Sequence, residues 1–209
     1  MTASFTGVIL AGGLNSRFGG RNKALVPVAG KPILDHILEA FNGLFSEILL
    51  VTNDPPTYMN RDMAIVTDLF DRRSSLTGIH AGLFYAATEA IFVTACDTPF
   101  VRPALIRMVM AAMGPGDDAV VPRTLVGNEP LCAAYSRRCL KPVERLLLAD
   151  DLKIYHLFDK VRVRYLDEDH LRQADPDMVS FVNINRPEQL AEAEKQACGP
   201  CPAASLTRL

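Results

Sequence analysis

Apolar and polar positions along the chain fall into two rhythms that take turns. Residues 6–10 (TGVIL) form a short apolar run of strand length. From Pro32 onward, Ile33, Leu34, Ile37, Leu38, Phe41, Leu44 and Phe45 recur at three- and four-residue steps. That spacing predicts an amphipathic helix, with Pro32 in a first turn where its missing N–H is tolerated. Strand-type runs return at 47–51 (EILLV), more faintly at 64–66 (AIV), and again at 90–95 (AIFVTA), 117–121 (DDAVV) and 161–166. Helical spacing covers 78–90, 102–113 and 139–149. A last strand is expected at 179–182, leading to Asn185 as N-cap, Pro187 in the first turn and Glu188 at the capping-box position.

Strands alternating with helices imply the α/β class: a three-layer α/β/α, Rossmann-like architecture around a mostly parallel sheet. In such sheets ligands sit beyond the carboxyl ends of the strands, where the strand order reverses. With no internal repeat and no linker-like stretch, one domain is expected over residues 1–197. Residues 198–209 (CGPCPAASLTRL) lack periodicity and are expected to form a disordered tail.

Composition narrows the class of partner. The 209 residues carry a formal net charge of −2, so no overall field favours nucleic acid or an anionic membrane. A small soluble ligand is the expectation. The opening stretch MTASFTGVILAGG lacks a basic n-region, and no run approaches the roughly 18 apolar residues of a membrane span, which points to the cytoplasm. Five cysteines at irregular positions read as reduced thiols, and the lone Cys198-x-x-Cys201 pair has no second pair to complete a metal site. His36, His80, His156 and His170 show neither metal nor triad spacing.

The candidate chemistry begins at VILAGGLNSRFGGRNKAL (8–25). Gly12, Gly13, Gly19 and Gly20 alternate there with Arg17, Arg21 and Lys23. The first carboxylate is Asp35, so these cations and Lys31 have no acidic partner nearby in sequence. G-x-G-x-x-G is absent, as is a P-loop, but bare backbone plus positive charge is what phosphate oxygens require. From glycine and charge alone, a solvated strand-to-helix loop is an equal reading. The position after strand one favours an anion site, and a triphosphate fits. AIFVTACDTPF then brings Asp97 to the same edge of the sheet, where one carboxylate beside a triphosphate suits Mg2+. An Asp-Thr-Pro turn is the alternative for that segment. Asp68 follows the third strand directly, and Asn53 reads equally as a turn residue before DPP.

LAGGLNSRFGGRNKAL resembles the signature L-A-G-G-x-x-x-R-[MF]-G-G-x-D-K-x-L of the molybdenum cofactor guanylyltransferases, which belong to the nucleotidyltransferase superfamily. GKPIL, CDTPF, SSLTGIHAGL, NEPLCAAYSRRCL and FVNINRPEQL resemble further segments of that family. The resemblance implies a nucleotide-diphospho-sugar transferase-like fold. It implies that Leu10, Ala11, Gly12 and Gly13 meet the base and sugar, and that Arg17 and Lys23 hold the phosphates. Asn53 and Asp68 would contact the nucleotide, Asp97 would bind Mg2+, and Asn183 and Asn185 would help bind the pterin. Asn185 is also fully explained as an N-cap. Lys23, Arg17 and Asp97 would carry catalysis.

The implied reaction joins GTP to molybdopterin-bound molybdenum cofactor, giving the guanine dinucleotide form and pyrophosphate. Molybdoenzymes or cofactor-insertion proteins would be the downstream partners. Three departures stand out: Asn22 replaces the family's aspartate, and Ser74 and Ser75 replace glycine and proline. Other readings are a CTP-using relative, which would usually show L-A-A-G at residues 10–13, a sugar-phosphate nucleotidyltransferase, or a nucleotide-binding carrier without turnover.

Overall fold

Strands buried on both faces, with side chains alternating between them, build the sheet. The structure is a computed structural model that describes residues 4–12, 22–61, 63–184 and 189. Along the chain come β1 (Phe5–Leu10), a small hairpin of β2 (Pro27–Val28) and β3 (Lys31–Pro32), and α1 (Ile33–Phe41). β4 (Ile48–Val51), β5 (Ala64–Val66), α2 (Ser75–Tyr85), β6 (Ala90–Ala95) and α3 (Pro103–Ala111) follow. β7 (Ala119–Arg123), β8 (Cys132–Ser136), α4 (Leu140–Leu148), α5 (Ile154–Phe158), β9 (Val163–Asp167) and α6 (Glu168–Leu171) complete the order.

Among the described residues the main sheet has seven strands, ordered β5-β4-β1-β6-β8-β7-β9. β1 pairs in parallel with β4 and β6, with Gly7 opposite both Ile48 and Phe92. β8 runs antiparallel between β6 and β7, and β9 is again parallel to β7. The chain lays β4 and β5 on one side of β1, then returns to place β6 on the other. Strand order therefore reverses between β1 and β6, and their carboxyl ends flank a crevice.

Alternate residues feed two cores. Phe5 and Ile9 of β1, with Phe92 of β6, face Ile33, Leu34, Ile37 and Phe41 of α1 and Leu105 and Val109 of α3. Val8, Ile91 and Val93 face Leu76, Ile79 and Leu83 of α2 and Val143 and Leu147 of α4. The three-layer, mostly parallel architecture expected from the alternation is the one observed. No described helix is long and apolar enough to cross a membrane.

Gly7 is required where α1 crosses β1. A Cβ there would lie 2.8 Å from ring carbons of both Phe41 and Phe45. Those rings are held against each other, with centroids 4.7 Å apart, and Phe41 also meets Phe92 edge-on. Gly7→Ala is expected to destabilise the fold by about 2 kcal/mol, lowering the thermal midpoint by about 4–8 °C. Calorimetry checks this, and an unchanged midpoint would mean that the aromatic cluster yields without cost.

Three local readings need correction. Residues 179–182 do not form a strand: Val179–Phe181 is a 3-10 turn, because Met178 is left-handed (φ 55°) and Asp175 captures the Ser180 N–H. The helix placed at 78–90 begins earlier, since Ser74 is its N-cap and accepts the Thr77 N–H at 3.1 Å. It ends at Tyr85, and Ala90 opens β6. Lys31 is not left without a carboxylate: α1 brings Glu39 to 2.5 Å from its Nζ. The helix and capping box placed at Asn185, Pro187 and Glu188, and the tail at 198–209, lie outside the described residues.

Candidate active site

The turn after β6 is tied to the end of β1 by the Cys96 N–H, which donates to the Leu10 carbonyl at 3.0 Å. Thr98 closes that turn: its Oγ1 donates to the Ala95 carbonyl at 2.9 Å and lies 3.0 Å from Thr94 Oγ1. The turn therefore has no need of the Asp97 carboxylate. That group meets Lys23 instead, whose Nζ donates to Oδ2 at 2.8 Å across 74 positions of sequence. Both side chains are mostly buried, at 16% and 23% exposure, so the pair is partly shielded from solvent. Asp97 Oδ1 is buried with no hydrogen-bond partner among the described residues. An orphaned carboxylate oxygen is costly unless something occupies it, and a divalent cation fits its chemistry. No cluster of three or more potential metal ligands stands among the described residues. Mg2+ takes one or two carboxylates and completes its shell with phosphate oxygens and water.

Lys23 opens a three-residue 3-10 turn, Lys23–Leu25, capped by Asn22. Asn22 Oδ1 accepts the Ala24 N–H at 3.1 Å and the Tyr58 hydroxyl at 3.0 Å. Tyr58 is buried, and desolvation pushes its hydroxyl up to about 12, so it remains a donor at neutral pH. This answers what asparagine does where the related signature has aspartate. Both bonds need only an acceptor oxygen, which a neutral amide provides, and no second negative charge is placed beside Lys23.

The opposite wall comes from β4 and β5. The Ala11 N–H donates to the Val51 carbonyl at 2.8 Å, and the Thr52 N–H to the Val66 carbonyl at 3.0 Å, keeping the three strand ends in line. Thr52 Oγ1 accepts the Asp54 N–H and serves the turn before the prolines. Asn53 is thereby freed to pair with Asp68: its Nδ2 donates to Asp68 Oδ2 at 2.8 Å, and its Oδ1 accepts the Asp68 N–H at 3.4 Å. Asp68 Oδ1 is buried without a hydrogen-bond partner among the described residues. Desolvation raises its carboxyl above the ordinary range, opposed by the Asn53 bond and by His80. Leu10 packs against α2 at Gly78, where a Cβ would come within 3.0 Å of a Leu10 methyl. Gly12 is exposed, and a Cβ there would meet no atom of the described residues within 4 Å.

The Ile184 N–H donates to the Asp97 carbonyl at 2.9 Å, which brings exposed Asn183 to the same rim. The structure thus gathers Leu10, Ala11, Gly12, Lys23, Asn53, Asp68, Asp97 and Asn183 along the carboxyl edges of β1, β4, β5 and β6. Gly13, Arg17 and Asn185 lie outside the described residues. A separate groove of about 840 Å³, lined by Phe5, Leu44, Met110 and Pro115 among others, opens at the opposite edge and shares none of these residues.

Residues 7–164 match the model of the MobA-like NTP transferase domain. The chain belongs to that family. The matched span of this MobA-like chain contains Lys23, Asn53, Asp68 and Asp97. It is 45% identical to the molybdenum cofactor guanylyltransferase of Desulfosudis oleivorans, over 90% of this chain and 94% of that protein. It is 34% identical to a probable molybdenum cofactor guanylyltransferase of Natranaerobius thermophilus, over 93% and 97%. Among solved structures, molybdopterin-guanine dinucleotide biosynthesis protein A from Archaeoglobus fulgidus superimposes with a TM-score of 0.81 at 29% identity, covering 91% and 97%. MobA-like architecture thus extends over nearly the whole chain.

Sequence reasoning passed over Tyr58. The signal available was a single large aromatic in DPPTYMNRD, an otherwise polar stretch directly after Asn53. A tyrosine isolated in that way is a candidate for burial with its hydroxyl spent on a specific partner.

Proposed function

We propose that this protein is a molybdenum cofactor guanylyltransferase, transferring GMP from GTP to molybdopterin-bound molybdenum cofactor with release of pyrophosphate. The observation that carries the reading is Lys23 on one oxygen of Asp97 while the other is buried without a hydrogen-bond partner among the described residues, at the point where strand order reverses. The 45% identity with a named guanylyltransferase supports the choice of substrates.

The acceptor's terminal phosphate is already ionised at neutral pH, so its oxygen attacks the α-phosphorus of GTP without a general base. The new P–O bond forms as the bond to the α–β bridging oxygen breaks, and that electron pair leaves with pyrophosphate. Catalysis then rests on alignment and on neutralising charge. Lys23 and Arg17 stabilise the charge growing on the α-phosphate and the departing pyrophosphate. Asp97 would hold Mg2+, which when bound would supply neutralisation of the triphosphate charge. Asn53 and Asp68 orient the nucleotide with the main chain of Leu10, Ala11, Gly12 and Gly13. Gly13 lacks a Cβ, which lets a purine lie close to the backbone. Asn183 and Asn185 receive the pterin. The enzyme works in the cytoplasm and passes its product to molybdoenzymes or to cofactor-insertion proteins.

The test compares GTP and CTP with magnesium and molybdopterin, reading pyrophosphate release. GTP is expected to be used at least about tenfold more efficiently than CTP. Preference for CTP would overturn the choice of base. Transfer to a sugar phosphate, with none to molybdopterin, would overturn the choice of acceptor.

A further inference from the structure

Among the described residues Arg102, Asp175, Asp177 and Ser180 make no hydrogen bond or ion pair with the residues assigned above, yet they join the two segments that carry Asp97 and Asn183. Arg102 immediately precedes α3, and its backbone N–H donates to Ser180 Oγ at 2.9 Å. The Ser180 N–H in turn donates to Asp175 Oδ2 at 2.8 Å. The guanidinium closes the knot, with Nε 3.1 Å from Asp175 Oδ1 and an NH2 group donating to Asp177 Oδ2 at 3.1 Å. The first of these contacts is ionic and lacks hydrogen-bond alignment.

Asp175 and Ser180 are both fully buried. A buried carboxylate with a charged partner adds little net stability over an apolar replacement, but it fixes the geometry of whatever it joins. Here it joins the chain five residues beyond Asp97 to the chain three residues before Asn183. With Met178 held left-handed and 179–181 wound into a turn, the backbone leaves at Val182 toward the crevice. There the Ile184 N–H reaches the Asp97 carbonyl.

We infer that the Arg102–Asp175–Ser180 clasp positions the acceptor half of the site. It sets where Asn183 stands relative to Asp97, whereas the nucleotide half is built from β1, β4, β5 and the Lys23 turn. Arg102 and Ser180 are accordingly positioning residues that act through Asn183 without touching substrate. The inference rests on the proposed contact between Asn183 and the acceptor.

The experiment measures KM for molybdopterin and for GTP in Ser180→Ala, Arg102→Gln and Asn183→Ala, together with amide exchange at Ile184. Ser180→Ala is the mildest change, since it keeps the backbone bond to Asp175 and the ion pair. Acceptor KM is expected to rise about fivefold in Ser180→Ala and more in Arg102→Gln, with GTP KM within about twofold of the parent. Exchange at Ile184 should accelerate while β1 and β6 amides keep their protection. If Asn183→Ala raises acceptor KM but neither clasp variant does, the clasp inference fails and the site reading stands. If Asn183→Ala leaves acceptor KM unchanged, the reading of Asn183 fails, and the inference with it. Equal increases in both KM values would mark general loosening of the fold and overturn the inference.

Discussion

Asp97→Asn is expected to lower pyrophosphate release by at least about 100-fold with little loss of fold stability. Asparagine keeps the shape of the side chain and an acceptor for Lys23, but removes the charge that would hold a cation. The turn itself does not depend on that charge, since Thr98 closes it through the Ala95 carbonyl and Thr94. Two measurements separate the roles. The thermal shift produced by GTP should lose its magnesium-dependent part and retain a magnesium-free part, because Asn53, Asp68 and Lys23 remain in place. Turnover within tenfold of the parent would remove Asp97 from the metal role. Complete loss of nucleotide binding would mean that it does more than hold a cation.

Which parts of this arrangement could be read from sequence follows from how far apart the interacting groups lie. β1, β4, β5 and β6 were legible because their apolar runs are local, and strand length alone places Asp97 at the carboxyl edge. Cys132–Ser136 was not legible from pattern, since two alanines and a serine give a weak strand signal. Pairing with β6 and β7 on both sides makes it a strand. Residues 179–182 have the composition of a strand, but the capture of the Ser180 N–H by Asp175 outweighs it. The site divides the same way. Glycine, cation and carboxylate positions showed in the sequence as separate motifs. The Lys23–Asp97 contact, the Asn53–Asp68 pair and the Tyr58 bond to Asn22 are made between distant segments, which the fold alone brings together.

Lys23→Ala is expected to reduce kcat/KM for GTP by about 100-fold, equivalent to about 2.7 kcal/mol of transition-state stabilisation. The ammonium group sits 2.8 Å from Asp97 Oδ2, on a turn whose cap is itself held by buried Tyr58. Its charge is therefore delivered to a fixed point beside the proposed phosphate path, and that placement is what removal would cost. Arginine should restore only part of the rate, because a planar guanidinium cannot occupy the compact position of the amine. Stability should fall by about 1–3 kcal/mol, since the mostly buried Asp97 carboxylate loses its ion-pair partner. Combining Lys23→Ala with Asp97→Asn gives the sharper measurement. If lysine and carboxylate act on one triphosphate as a unit, the double variant should be little slower than the worse single one. Effects that multiply in full would mean that the two groups serve separate steps, and their contact in the crevice would then have no catalytic meaning.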